Sequence, residues 1–173
     1  MSESYIIHCA SLNAQGLRDS TKRERLKQWL IQQNIDVMLL QETHLTESII
    51  NTITKQFHDW EMINSFGKSN SCGCSTRINR KLRYKILNNV VGESGRLLLT
   101  NIEISNTVFS IVNMYAPNDY CSRNIFFNSA YNTIHKNAIG IKLIGGDMND
   151  ILTKQDRITS STVLKKYPVP NLL

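Results

Sequence analysis

From Tyr5 to Leu12 the chain is apolar-rich over the length of one strand and then breaks at Asn13-Ala14-Gln15-Gly16, which predicts a strand running into a loop. Thr21-Lys22-Arg23-Glu24 has capping-box spacing, so a helix is expected to start there. Leu26, Trp29, Leu30 and Gln33 follow at helical intervals, with Lys22, Arg25 and Lys27 turned to solvent and Asn34 closing the helix. Val37 to Leu40 reads as a second strand. Ile49, Ile50, Ile53 and Phe57 form one stripe on a helix over Thr46 to Phe57, and Trp60 to Ile63 is strand-like. The order this far is β-α-β-α-β.

The second half begins with a Gly-, Ser- and Asn-rich loop, Phe66 to Cys74, and a basic stretch from Arg77 to Lys85 that reads as a hairpin. Arg96 to Ile104 and Val108 to Tyr115 are two strands joined by Ser105-Asn106-Thr107, a tight antiparallel connection. Ser122 is placed to cap a helix from Arg123 to Lys136 that buries Ile125, Phe126, Ala130 and Ile134, and Ile141 to Ile144 is the last clear strand. The segment 159–173 has two prolines and no partner strand, so the expected organisation is one domain over 1–158 and an irregular tail over 159–173.

Composition narrows the class. With 173 residues, 41% hydrophobic and 20% charged, the chain can build one core and falls outside the disordered range. No apolar run approaches the roughly 18 residues of a membrane span, and the start has no secretory pattern, so an intracellular chain without a membrane partner is expected. Cys9, Cys72, Cys74 and Cys121 are scattered, which favours reduced thiols, and Cys72-Gly73-Cys74 reads as a turn because no second Cys or His pair stands at zinc spacing. The net charge of +6 leans toward a polyanionic partner. On its own the basic stretch from Arg77 to Lys85 reads as a solvated face.

Polar residues recur immediately after apolar strands: Asn13 after the first, Glu42 after the second, Tyr115 after the hairpin, Asp147 and Asn149 after the last. Side chains at neighbouring strand exits can converge on one crevice. Glu42 and Asn13 are hard oxygen donors of the kind magnesium takes, and magnesium is usually completed by water and substrate phosphate. Asp147 could orient or deprotonate a water, and Tyr115 and Asn118 could donate to phosphate oxygens. Each has a structural use as well: Asn13 and Asn118 as turn residues, Glu42 as a solvated strand end, Tyr115 as a core aromatic, Asp147 as an Asx-turn residue, and His44 as a surface group.

In their order and spacing, Ser11-Leu12-Asn13-Ala14-Gln15-Gly16-Leu17, Leu39-Leu40-Gln41-Glu42-Thr43-His44-Leu45, Val112-Asn113-Met114-Tyr115-Ala116-Pro117-Asn118 and Ile144-Gly145-Gly146-Asp147-Met148-Asn149 resemble the motifs of the endonuclease/exonuclease/phosphatase superfamily. The closest likeness is to the apurinic-type endonuclease domain of non-LTR (LINE-type) retrotransposons, which also shows Gly95-Arg96 and Asp156-Arg157. The resemblance implies a four-layer α/β sandwich of the deoxyribonuclease-I-like type. It implies a metal site at Glu42 with Asn13, Mg2+ as the ion with Mn2+ able to replace it, phosphate contacts from Tyr115 and Asn118, and a catalytic group of Asp147, Asn149 and Tyr115. The substrate it implies is DNA, nicked in the nucleus, with a reverse transcriptase domain either fused to the chain or lost from it.

Two departures accompany the likeness. The family ends in further strands and a Ser-Asp-His motif, whereas the histidines here are His8, His44, His58 and His135, so no catalytic histidine follows Asp147 and an incomplete sandwich is expected. Loss of a positioned acid/base group costs about 10²- to 10⁴-fold in rate, so weak or absent activity is expected, with exposed sheet edges and apolar surface. The family strand at Cys72 to Ile78 is usually apolar, yet Arg77 stands in it and needs a partner or an exit to solvent. Three readings stay open: a DNA-nicking endonuclease domain, another phosphodiesterase or phosphatase of the superfamily, and a non-catalytic nucleic-acid-binding remnant.

Overall fold

The computed structural model describes residues 6–67 and 72–150. The elements are β1 (Cys9–Asn13), α1 (Ser20–Gln32), β2 (Val37–Gln41), α2 (Glu47–Gln56), β3 (Trp60–Ser65), β4 (Cys74–Asn79), β5 (Tyr84–Val91), a 3-10 turn (Glu93–Gly95), β6 (Leu97–Ile104), β7 (Thr107–Tyr115), α3 (Tyr120–Asn137) and β8 (Ile141–Asp147). The expected tail over 159–173 and Asp156-Arg157 lie outside the described residues.

The strands form two sheets of four, β1-β2-β4-β3 and β5-β6-β7-β8. In the first, β1 and β2 are parallel and the other pairs antiparallel; in the second, β7 and β8 are parallel and the others antiparallel. Leu26 and Leu30 of α1 and Ile53 and Phe57 from α2 pack with Met38 and Leu40 on the outer face of the first sheet. Val37, Leu39 and Ile78 meet Leu98, Ile102 and Ile111 between the sheets. Ala130 of α3 covers Leu97, Leu99, Val112 and Met114 on the outer face of the second. The result is a four-layer α/β sandwich, and every residue of β2 is buried because both its faces are covered.

Strong local signals coincide with the structure. Ser105 and Asn106 both have positive φ, +48° and +64°, the conformation a two-residue type I′ turn demands, and Ile104 pairs directly with Thr107. The α2 stripe is also as expected, with Ile53 and Phe57 buried and Ile49 and Ile50 packed beside them.

Other positions differ. α1 is capped by Asp19, whose carboxylate accepts the Lys22 N–H, so the helix begins before Thr21; Asp outranks Thr as a cap. Arg23 takes a buried place on α1, donating Nη1 to the Leu17 and Arg18 carbonyls and Nε to Gln56, while Trp29 is 41% exposed. α3 is capped by Asp119 through the Ser122 N–H; its buried face carries Arg123, Phe127 and Ala130, and Ile125 is 72% exposed. The basic stretch is no hairpin: β4 pairs with β2 and β3, β5 with β6, and residues 80–83 cross from one sheet to the other. Within it only the cation Arg77 is buried; Arg80, Lys81, Arg83 and Lys85 are exposed. Among the described residues β1 and β8 pair along one edge only, with Leu12 and Ile144 about half exposed.

Candidate active site

Two parallel units, β1-α1-β2 in one sheet and β7-α3-β8 in the other, send the carboxyl ends of four strands to one pole. Asn13 lies beside Gln41 at the end of the first pair, and Tyr115 beside Asp147 at the end of the second. Crevices at strand carboxyl ends are where open α/β sheets bind ligands.

Glu42 follows the last residue of β2. Gln41 faces the second sheet, so strict alternation would turn Glu42 away from it. Instead Glu42 has a φ of +48°, in the left-handed region that non-glycine residues seldom adopt. Bonds on both sides hold this turn: Gly16 N–H to the Glu42 carbonyl, Leu17 N–H to Thr43, and Thr43 and His44 N–H to the carbonyls of Gly73 and Cys72. The carboxylate thereby reaches the other sheet, where the Tyr115 hydroxyl donates to Glu42 Oε1 at 2.5 Å. Arg96 braces the tyrosine from below, its guanidinium 4.6 Å from the ring centroid and Nη1 donating to the Tyr115 carbonyl. Burial, then the bond to Glu42, pushes the Tyr115 phenol up to about 12.

A second bond crosses beside the first: Asn13 Nδ2 donates to Asp147 Oδ2 at 2.8 Å. Asp147 Oδ1 accepts the Asn149 N–H at 3.0 Å, an Asx turn, and Asn149 Nδ2 donates to the Ala116 carbonyl. Gly145 and Gly146 lie inside β8 and not in a turn after it. A Cβ on Gly145 would sit 2.7 Å from Leu39 Cδ1, so its absence lets β8 approach β2 closely enough for Asp147 to meet Asn13.

Asn13, Glu42, Tyr115, Asp147 and Asn149 are thus gathered at one inter-sheet seam. Asn118 stands apart: it is exposed, its carbonyl accepts Arg123 Nη1, and its side chain has no hydrogen bond among the described residues. His44 packs toward Gly16 on the loop after Glu42. Gln41 and Asn113, joined by a buried hydrogen bond between their amides, and Arg96 are the residues that the motifs left without a role. The signal for the amides was available, since each is a polar residue at an inward position of an otherwise apolar strand.

Among the described residues no group of three or more His, Cys, Asp or Glu side chains gathers, so no cage built from protein alone is present. Glu42 Oε2 and Asn13 Oδ1, which accepts the Gln15 N–H and keeps a second lone pair, both lie on this seam and offer an all-oxygen donor set of one carboxylate and one amide. That set fits magnesium, which binds through one or two carboxylates and keeps its remaining positions for water and phosphate. It does not fit zinc, which needs nitrogen or sulfur ligands in a tetrahedral set.

Comparison with known proteins shows the family and the fold. Residues 10–162 match the model of the Endonuclease/Exonuclease/phosphatase family. A 149 kDa protein of transposon TX1 from Xenopus laevis is 30% identical over 151 residues, 86% of this chain and 11% of that protein. Among solved structures, an AP endonuclease from Archaeoglobus fulgidus superposes with a TM-score of 0.72 at 16% identity, over 89% of this chain and 62% of its own. Danio rerio TDP2, solved with a single-strand DNA product, gives 0.65 at 17% identity over 84% and 61%. The chain therefore spans under two thirds of the length of these relatives.

Proposed function

The chain belongs to the endonuclease/exonuclease/phosphatase family, and from that premise we propose that it is a divalent-metal-dependent phosphodiester hydrolase, the DNA-nicking endonuclease domain of a LINE-type mobile element. The observation that carries the reading is the seam itself, where Glu42 with Tyr115 and Asn13 with Asp147 bring two carboxylates, an amide and a phenol from four strands to one crevice.

In this reading Glu42 and Asn13 hold Mg2+, which when bound supplies Lewis-acid polarisation of a phosphoryl oxygen and neutralises charge. Tyr115, its phenol held at about 12, stays protonated across the neutral range; its one proton, given to Glu42 in the free chain, turns to a non-bridging phosphate oxygen when substrate is bound. Asp147 takes one hydrogen bond on each oxygen and keeps lone pairs to orient the attacking water; Asn149 fixes its rotamer. Asn118, on the exposed loop before α3, donates to phosphate when substrate is bound.

The test is conversion of supercoiled plasmid to nicked circles by the full chain with Mg2+. Nicking that stops with EDTA and with Glu42→Ala is expected; nicking unchanged in Glu42→Ala rejects the site. Phosphate release from small esters without DNA cleavage would favour another hydrolase of the family. Salt-dependent DNA binding that persists in EDTA, with no cleavage, would favour a non-catalytic binder.

A further inference from the structure

Gln41 and Asn113 are 1% and 0% exposed. Gln41 Nε2 donates to Asn113 Oδ1 at 2.8 Å and to Ser11 Oγ at 3.2 Å. Asn113 Nδ2 donates to the carbonyls of Leu40 and Ser75, both at 3.1 Å, so a side chain of the second sheet is tied to β2 and β4 of the first. The inter-sheet core that holds them carries Leu39, Cys74, Leu98 and Ile111, with the buried Thr76 and Thr100 opposite Leu39 and Ile111. Two leucines would fill such a place without desolvating any polar group. Apolar contact is non-directional, however, and two sheets held by it alone can slide by a fraction of an ångström at little cost. A buried hydrogen bond between amides weakens steeply with distance and angle, and so defines one alignment.

The bridge also has a telling position. Gln41 immediately precedes Glu42, and Asn113 is two residues before Tyr115 on the same face of β7. We propose that Gln41 and Asn113 are positioning residues, whose bridge aligns the two sheets so that the Glu42 carboxylate and the Tyr115 hydroxyl meet. The catalytic half of this inference rests on the proposed nuclease reading; the structural half does not.

Gln41→Met keeps the volume and removes the donor. The first measurement is a double-mutant cycle of Glu42→Ala and Tyr115→Phe read by thermal melting. In the parent chain the combined shift departs from the sum of the single shifts by on the order of 2–4 °C. In the Gln41→Met background that non-additivity disappears, whereas a bridge that merely adds stability would lower every melting temperature alike and leave it intact. The second measurement is nicking, where Gln41→Met lowers kcat about 10- to 100-fold with KM for DNA unchanged. Should Gln41→Met not fold, Asn113→Thr, which keeps a hydroxyl donor, replaces it in both experiments. Coupling undiminished in the bridge variant overturns the proposal. Coupling that disappears in a chain that never nicks DNA overturns the nuclease reading and leaves the positioning role standing.

Discussion

Between the sheets, Gln41 and Asn113 are buried with their amides engaged; beneath α2, on the outer face of β4, Arg77 is buried just as completely, and among the described residues none of its guanidinium nitrogens is hydrogen-bonded. Its guanidinium carbon lies 4.0 Å over the face of Phe57, a cation–π contact. The Ser75 hydroxyl on the same face of β4 lacks a partner as well among the described residues. Burial, with the charge of Arg23 as a lesser cause, pushes the Arg77 guanidinium down to about 9. The contrast separates two kinds of buried polarity. A satisfied network rigidifies the place where it sits, and here that place is the pole with Glu42 and Tyr115. An unsatisfied cation contributes no alignment and only costs stability.

The largest expected effect is on the satisfied side. Glu42→Gln should lower nicking about 10²- to 10³-fold, through loss of the Glu42 carboxylate, with the melting temperature little changed. Plasmid relaxation kinetics beside a thermal melt measure both, and a variant with full activity would remove the functional meaning of the seam.

On the unsatisfied side the sign reverses. Arg77→Met should stabilise by about 2 kcal/mol, a rise of about 4–8 °C in melting temperature, because an unpaired buried charge gives way to an apolar chain that can still lie on Phe57. The gain should depend on pH. Below about 9 the guanidinium is charged in the folded and unfolded chain alike and its burial cost is complete. Above that, the folded chain sheds the proton while the unfolded chain keeps it up to the ordinary 12.5, so the parent gains stability as pH rises. The advantage of Arg77→Met should therefore be larger at pH 7 than at pH 10. An equal advantage at both would mean that charge is not what burdens β4.

A third network sharpens the comparison because it is satisfied yet lies at the other end of the second sheet. Ser110 Oγ has both Asn101 Oδ1 and the Ile139 carbonyl within reach of its one proton and accepts the Ile139 N–H, pinning the entry to β8. Ser110→Ala should cost about 1.5 kcal/mol in a denaturant melt and leave nicking untouched. The smallest effect is Asp19→Ala, a loss of about 1 kcal/mol from uncapping α1, again without change in activity.

Where local chemistry is decisive, the elements were readable from the residues. Ser105-Asn106 names its own turn because Asn tolerates positive φ, and the Ile49–Phe57 stripe names its own helix face. Reading failed where two local signals competed or where burial depended on distant partners. Asp19 and Thr21 are both caps by type, and two residues of helix start turned on which formed first-turn bonds. Ile125 and Phe127 are both apolar on α3, and only the position of the second sheet selected Phe127. The basic run from Arg77 to Lys85 concealed a change of sheet, because charge pattern carries no record of which strand pairs with which.

For the candidate site the division is similar. The residue types and their places after apolar strands were present in the chain: an amide at 13, carboxylates at 42 and 147, a phenol at 115. Strand length and period alone put each at a strand exit, since those are local properties of about five residues. Which exits share a pole follows from two parallel crossovers packing face to face, a relation between residues more than a hundred positions apart, as with Asn13 and Asp147. The left-handed turn that swings Glu42 across the seam, the Gln41–Asn113 bridge beneath it and the burial of Arg77 are likewise products of packing. A hydrogen bond between sheets depends on ångström-scale separation, and that separation is set by the whole core.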